Sequence, residues 1–378
     1  MPKLLGQLHT CWSTTLCICR LEELWNALEN LSESCGDEVA FAALAALAAT
    51  ASFAQSSATI SGGIQVGVMN TGASGDTAQV AHLGNGANAI NIKTVEDLGG
   101  GMSGGFDSQI RFNGATGNFN SNVGGSTYNP LFHAANAYLS AGFGTVRIGR
   151  ITEASNCGLD PWGCGGGASM AAGTGQSLLV GAGSQASSIS YATPTFAGFS
   201  AGYQTTLTPA AGVAASTSAT AGRTTERSVL NLNYANGPIS AMYLLVDGGA
   251  STGAATADDK SKAVSISASY DFGVAKLNVL NVVNKNNAGT KTADITGITA
   301  TAPMGAYTLL AGYSQAKTGT GYTATAANNT KTSLGVNYAL SKRTTLGADV
   351  FKAEGLTAVG TGTGTSGTGY VVRLGHTF

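Results

Sequence analysis

Charge is what this sequence has least of. Asp, Glu, Lys and Arg make up 10% of its residues, against about 25% in an ordinary soluble domain. Solvated disorder depends on high charge, so it is excluded. Long hydrophobic runs are also missing. Apolar residues reach 43% without gathering into repeated stretches of about 20, which excludes a bundle of membrane helices. Only four His and six Cys occur, few for catalysis or metal binding, and Cys11, Cys17, Cys19 and Cys35 all lie near the start. Proline is rare at 7, whereas glycine is abundant at 54. The glycines follow no three-residue period, so a collagen helix is excluded too. The formal net charge of −1 offers no basic excess for nucleic acid.

The front of the chain differs from the rest. Val39–Gln55 (VAFAALAALAATASFAQ) is a short Ala/Leu run closing on Ser52-Phe53-Ala54, the pattern of a secretory signal and its cleavage site. As a transmembrane helix it falls short of the roughly 20 residues a bilayer needs. Residues 1–38 carry six acids and two bases, the wrong flank for a signal peptide. They read as an over-extended gene start, or else as a genuine N-terminal extension. The expected division is therefore 1–38 extension, 39–54 signal peptide and 55–378 mature protein. Removing the first two leaves 17 bases and 14 acids, a net charge of +3.

From Gln55 onward the hydrophobic period is two, which is strand geometry. Ile60, Ile64, Val66 and Val68 alternate with polar or tiny partners. So do Leu230, Leu232 and Tyr234; Val264, Ile266, Ala268 and Tyr270; Leu334, Val336 and Tyr338; and Leu346, Ala348 and Val350. The alternation slips by one within Lys276–Asn284, where a bulge is expected. Tight connections, such as Asn236-Gly237-Pro238 and Phe272-Gly273, exchange with long Gly/Ala/Ser/Thr-rich ones, such as 206–223, 248–259 and 355–368. Short turns at one end and long loops at the other point to a closed transmembrane β-barrel. A soluble β-sandwich of this size is unusual, and a β-solenoid needs a fixed repeat that is absent. Aromatics near strand ends, among them Tyr191, Phe199, Tyr203, Tyr234, Tyr243, Tyr270, Phe272, Tyr307, Tyr313, Tyr338, Phe351 and Phe378, suit girdles at a membrane interface. The terminal YVVRLGHTF is itself a strand, expected to pair with the first so that no edge meets lipid.

TVEDLGGGMSGGFDSQIRF, AYLSAGFGTVRIGR, ATPTFAGFSAGYQ, NLNYANGPISAMYLLVD, SASYDFGVAKLNVL and NYALSKRTTLGADVF occur in that order, followed by the terminal Phe378. Together they resemble the general trimeric porins of Gram-negative outer membranes, in particular the β-proteobacterial branch. The resemblance implies an all-β fold: a closed 16-stranded antiparallel barrel whose third long loop, about Arg150–Ser188, folds inward as a constriction. It implies a homotrimer in the outer membrane, contacting lipid and lipopolysaccharide. Passive diffusion of small hydrophilic solutes and ions follows, with no cofactor. Phe378 resembles the signal read by the outer-membrane insertion machinery.

On that frame the loop supplies Glu153 and Asp160, and Cys157 and Cys164 with only GLDPWG between them. In an oxidising compartment these cysteines form either a disulfide or two free thiols. Strand parity supplies the opposing wall. With Phe106, Ile110, Val146, Ile148, Ile90 and Ile92 toward lipid, Lys93, Arg111 and Arg147 face the lumen, and Arg373 does so from the last strand. Arg150 has the opposite parity but lies at a strand end, and is included with them. These bases are expected to form one patch facing the loop acids, giving a mild anion preference. An enzyme is disfavoured, because His82 falls in a Gly/Asn-rich loop, His376 faces lipid and no triad assembles with His133. A secreted or surface-anchored β-rich adhesin or structural protein is the competing function.

Overall fold

Seventeen strands follow one another: β1 (Ser57–Asn70), β2 (Gln79–His82), β3 (Ala89–Gly99), β4 (Met102–Arg111), β5 (Phe132–Ala141), β6 (Gly144–Thr152), β7 (Ser184–Ala192), β8 (Phe199–Thr206), β9 (Ser228–Asn236), β10 (Ile239–Asp247), β11 (Lys262–Asp271), β12 (Lys276–Lys285), β13 (Lys291–Met304), β14 (Tyr307–Lys317), β15 (Asn329–Ala339), β16 (Thr344–Glu354) and β17 (Gly367–Thr377). The computed structural model describes residues 56–72, 75–83, 88–119, 131–152, 154–155, 161–162, 184–207, 227–248, 262–286, 288–317, 329–354 and 367–378. The expected extension 1–38 and signal peptide 39–54 lie outside them, as do Glu153, Cys157, Asp160 and Cys164.

Every pairing is antiparallel, and the sheet closes where β17 meets β1, from Gly63 opposite Thr377 to Asn70 opposite Tyr370. Phe378 completes the seam: its amide N–H donates to the Gly62 carbonyl (3.0 Å), and its backbone oxygen accepts from the Gly62 amide in return (3.2 Å). The seventeen strands make sixteen staves. β2 and β3 run end to end along β1, pairing Val66–Met69 and Ser57–Gly63 respectively. Between them Asn88 turns inward and its side chain bonds both backbone groups of Gln65, so the break leaves that residue satisfied. His82 is thereby corrected. It ends β2, is buried, and bonds Asn88, because β2 holds it in the ladder opposite Val66 of β1 rather than in a surface loop.

The two faces separate as the period of two requires. Ile148, Ile266, Leu334 and Val350 are 61, 56, 58 and 53% exposed, while their neighbours in sequence point inward. Such a continuous apolar exterior is a membrane-facing surface. Short turns gather at one end, at Gly99–Met102, Ala141–Gly144, Asn236–Ile239, Asp271–Lys276, Met304–Tyr307 and Ala339–Thr344.

Three further expectations are revised. Lys276–Asn284 pairs with β11 in unbroken register; the shift lies at Asn284/Lys285 against β13. The alternation slips because Leu280 and Val282 face inward, into an apolar cluster, while Asn281 faces out. Phe351 is 1% exposed and packs inside the barrel, so it leaves the girdle. Tyr243 also leaves the strand ends, sitting in the middle of β10. The third long loop is shorter than expected, since β6 ends at Thr152 and β7 begins at Ser184.

Candidate functional site

The inner wall over β3–β6 is polar and cationic. Register sets Lys93 opposite Asp107, Asp107 opposite Asn136, and Tyr138 opposite Arg147. Arg147 is ion-paired to Asp107 and also donates to Asn136 Oδ1 at 3.1 Å. Tyr138 crosses β4 at Gly105, where a side chain would strike the Thr94 backbone, and its hydroxyl donates to the Thr94 carbonyl at 2.8 Å. The ring is thereby fixed between two cations, Lys93 Nζ at 5.7 Å and Arg147 Cζ at 5.1 Å from its centroid. Toward the long-loop end, Gln109 donates to Asn91 Oδ1 (2.7 Å) and accepts from Arg111 Nε (2.6 Å). Arg111 has no carboxylate partner among the described residues.

Arg150 reaches this wall through a bulge. The register with β7 shifts between Gly149 and Ile151, and Ser187 on the facing strand takes φ 54. The shift lets Arg150 Nε donate to the His133 carbonyl at 3.0 Å.

A second group lies on β15–β17. Arg373, 7% exposed, is ion-paired to Asp349, 3% exposed, and Arg373 Nη2 donates to Asn337 Oδ1 at 2.6 Å. The third member comes from the loop between β6 and β7. Trp162 is 7% exposed and packs with Met69, Leu83, Leu310, Phe351 and Val371 on the inner wall. Its indole N–H donates to Asp349 Oδ1 at 2.9 Å. Beneath Pro161 and Trp162, toward the short turns, a recess of about 280 Å³ is lined by Gln65, Arg373, Lys342 and Arg343 among others. A third stretch of wall is apolar: Val229, Leu244, Val246, Ala263, Leu280 and Val282 of β9–β12 cluster, with Ala154 of the same loop packed against them. The described points of the 153–183 segment thus touch the interior at two separate places.

Lys93, Arg111, Arg147 and Arg150 are brought onto one wall, and Arg373 belongs to the separate Trp162–Asp349 group. Parity alone did not select Asp349, Tyr138 or Trp162. Asp349 was legible as the inward partner of Leu346, Ala348 and Val350. Trp162 carried only a weak signal, a lone large aromatic in a Gly-rich segment.

The Gram-negative porin family matches residues 40–355 of the chain. The outer membrane porin protein 32 of Delftia acidovorans is 32% identical over 259 residues, covering 63% of this chain and 67% of that one. Among solved structures, the anion-selective porin from Comamonas acidovorans aligns at TM-score 0.62 and 24% identity, covering 86% of this chain and 100% of that one. The Salmonella typhi OmpF complex with daunomycin aligns at TM-score 0.60 and 11% identity, covering 85% and 97%.

Proposed function

The chain belongs to the Gram-negative porin family, in its β-proteobacterial branch, and from that premise we propose how its interior selects what passes. It is an outer-membrane barrel and not an enzyme: a channel for passive diffusion of small hydrophilic solutes and ions. The reading proposed here is a mild anion preference. Its main support is the β3–β6 wall, where Lys93 and Arg147 flank Asp107, Arg111 and Arg150 stand further along it, and Arg111 has no carboxylate of its own among the described residues. Cationic side chains lining a pore raise the local anion concentration. Glu153 and Asp160, from the inward-reaching loop, are proposed as the opposing acids, with Arg373 holding that loop in place through Asp349. The Comamonas acidovorans structure is described as anion-selective, which agrees. Cys157 and Cys164 are proposed to close the small loop between them as a disulfide.

The homotrimer is proposed on the outer face. An aromatic belt, Tyr191, Phe199, Tyr234, Tyr270, Tyr307 and Tyr338, borders the short-turn end from β7 to β15. On β1–β5 the outward positions instead include Gly62, Thr94, Glu96, Gly104 and Ala137. An outward acid and close-packing small residues suit a protein neighbour better than lipid. Phe378 is proposed as the insertion signal.

Reversal potentials across a planar bilayer with a salt gradient test the selectivity. The wild type is expected to favour chloride over potassium, and Lys93→Ala/Arg111→Ala to bring the reversal potential toward zero. A cation-selective wild type, or an unchanged double variant, would overturn the assignment.

A further inference from the structure

The recess beneath Pro161 and Trp162 is a second cationic place, apart from the β3–β6 wall. Lys342 and Arg343 line it from the turn between β15 and β16, Arg373 lines it from β17, and none of its described lining residues is an acid. Asp349 of β16 pairs with Arg373. Neither Lys342 nor Arg343 has a carboxylate partner among the described residues. Three cations against one carboxylate leave two positive charges uncompensated at one spot.

The recess opens on the lumen. Gln65 is opposite Gly375, while Gly67 and Gly347 are opposite Arg373, so Gln65 and Arg373 share the inward face, as does Asn337 opposite Gly347. Its walls are set before any ligand arrives. Ser341 Oγ accepts from the amides of Arg343 (3.2 Å) and Thr344 (3.0 Å), and the Thr377 amide donates to the Arg343 carbonyl at 2.9 Å. The turn that carries Lys342 and Arg343 is therefore tied to itself and to the last strand. At Gly347 a Cβ would come within 2.6 Å of Arg373 Nε and 2.8 Å of Asn337 Oδ1, so the missing side chain is what lets the guanidinium lie against β16. A site fixed in advance loses little to ordering on binding. The volume of about 280 Å³, against about 30 Å³ for a water molecule in the liquid, admits an oxyanion with a small organic body.

We propose that this recess is a binding site for a dianionic phosphate group, free or as the monoester of a small polar alcohol, on the short-turn side of the inward loop. Its two charges match the two that Lys342 and Arg343 leave uncompensated. Arg343 meets phosphate oxygens with a fork of N–H donors and Lys342 adds a point charge, both through charge-assisted hydrogen bonds. Gln65 and Asn337 add neutral amide donors to the same space. A monovalent anion leaves one of the charges unmet and passes on, whereas a dianion pauses and slows the traffic behind it. The site rests on the channel reading above, and it lies on β15–β17, away from the wall to which the anion preference is assigned.

The test measures block of the chloride current through single channels, all inserted from one chamber, by inorganic phosphate at about pH 8, where the dianion dominates. The half-blocking concentration is expected to be at least threefold lower when phosphate is added on the short-turn side than on the long-loop side. Sulfate is expected to block as phosphate does, and nitrate, with one charge, to leave the current unblocked. Lys342→Ala/Arg343→Ala is expected to raise the half-blocking concentration at least fivefold, whereas Lys93→Ala/Arg111→Ala changes it less than twofold. Tighter block by glycerol phosphate than by inorganic phosphate makes the ester the occupant, and equal block makes it the free ion; either upholds the site. Block that is equal from both sides, equally strong with nitrate, unchanged in Lys342→Ala/Arg343→Ala or lost in Lys93→Ala/Arg111→Ala overturns it. A wild type that conducts without any block overturns the site and leaves the channel reading standing, whereas a wild type that forms no channel refutes that reading and the site with it. Should the double variant not fold, Arg343→Gln alone is expected to raise the half-blocking concentration about twofold, and no change would refute the proposal.

Discussion

Trp162 is the place where the inward loop can be released without cutting the barrel. Its side chain is 7% exposed in a cluster with six other apolar residues, and its indole N–H donates to Asp349. Truncating a buried aromatic costs about 3–5 kcal/mol. Within that, the bond to an ionised acceptor is worth about 1.5–3 kcal/mol. Since about 1.4 kcal/mol is a factor of ten, Trp162→Ala shifts the docked-to-undocked ratio of this contact by more than a hundredfold. Trp162→Phe keeps most of the apolar burial and loses the hydrogen bond, so it sits between the two. Asp349 stays paired with Arg373 in both variants, and the strand ladder is untouched. The expected result in single-channel recordings is larger, noisier conductance in the order Ala, Phe, wild type. Protease cleavage within 153–183 should rise in the same order, with unchanged heat-modifiable migration of the barrel. If Trp162→Ala conducts as quietly as wild type and resists protease equally, the contact does not hold the loop and the reasoning fails.

Asp349→Ala leaves Arg373, 7% exposed, with Asn337 as its remaining partner here. Breaking a buried pair costs about 3–5 kcal/mol, so the temperature of unfolding in SDS should fall more than in an Asp349→Ala/Arg373→Met variant. Equal falls would contradict that. Removing Phe378 deletes both hydrogen bonds to Gly62 at the seam, so refolding into detergent should slow while assembled channels conduct normally; unchanged refolding kinetics would count against it. Asp76, in the connection after β1, accepts the Thr71 amide at 2.7 Å and the Thr71 hydroxyl. These bonds hold its carboxyl below the usual range. The order they lend is therefore complete above that range and lost as pH falls through the depressed value. The protection factor of the Thr71 amide, its exchange rate corrected for the intrinsic pH dependence, should fall on acidification in wild type and stay constant over this range in Asp76→Asn; a constant wild-type value would count against the contact.

The strand pattern and the face of each residue were written locally. A period of two needs only adjacent residues, so Ile148 outward and Arg147 inward follow from the sequence without knowing which strands are neighbours. The exceptions are informative. Leu280 and Val282 break the pattern because part of the inner wall is covered by apolar contacts, including Ala154, and a rule that reads apolar as outward cannot anticipate a greasy patch inside a wet barrel. Phe351 misled the girdle assignment for the same reason, since Trp162 shares its interior cluster.

The sequence by itself determined that this chain is a sheet with one greasy and one wettable face, closed by its own last strand, and that Lys93, Arg111, Arg147 and Arg373 turn inward, though not that Lys331 does, 7% exposed beside the Phe351 ring. Only the tertiary structure decided which of those bases are companions. Lateral grouping depends on the register between strands far apart in the chain, and on where one long loop touches the wall. It therefore took closure to place Arg150 beside His133 through a bulge. Closure also separated Arg373 from the other bases and gave it Asp349, with Trp162 reaching in from 187 residues away to bond the same carboxylate.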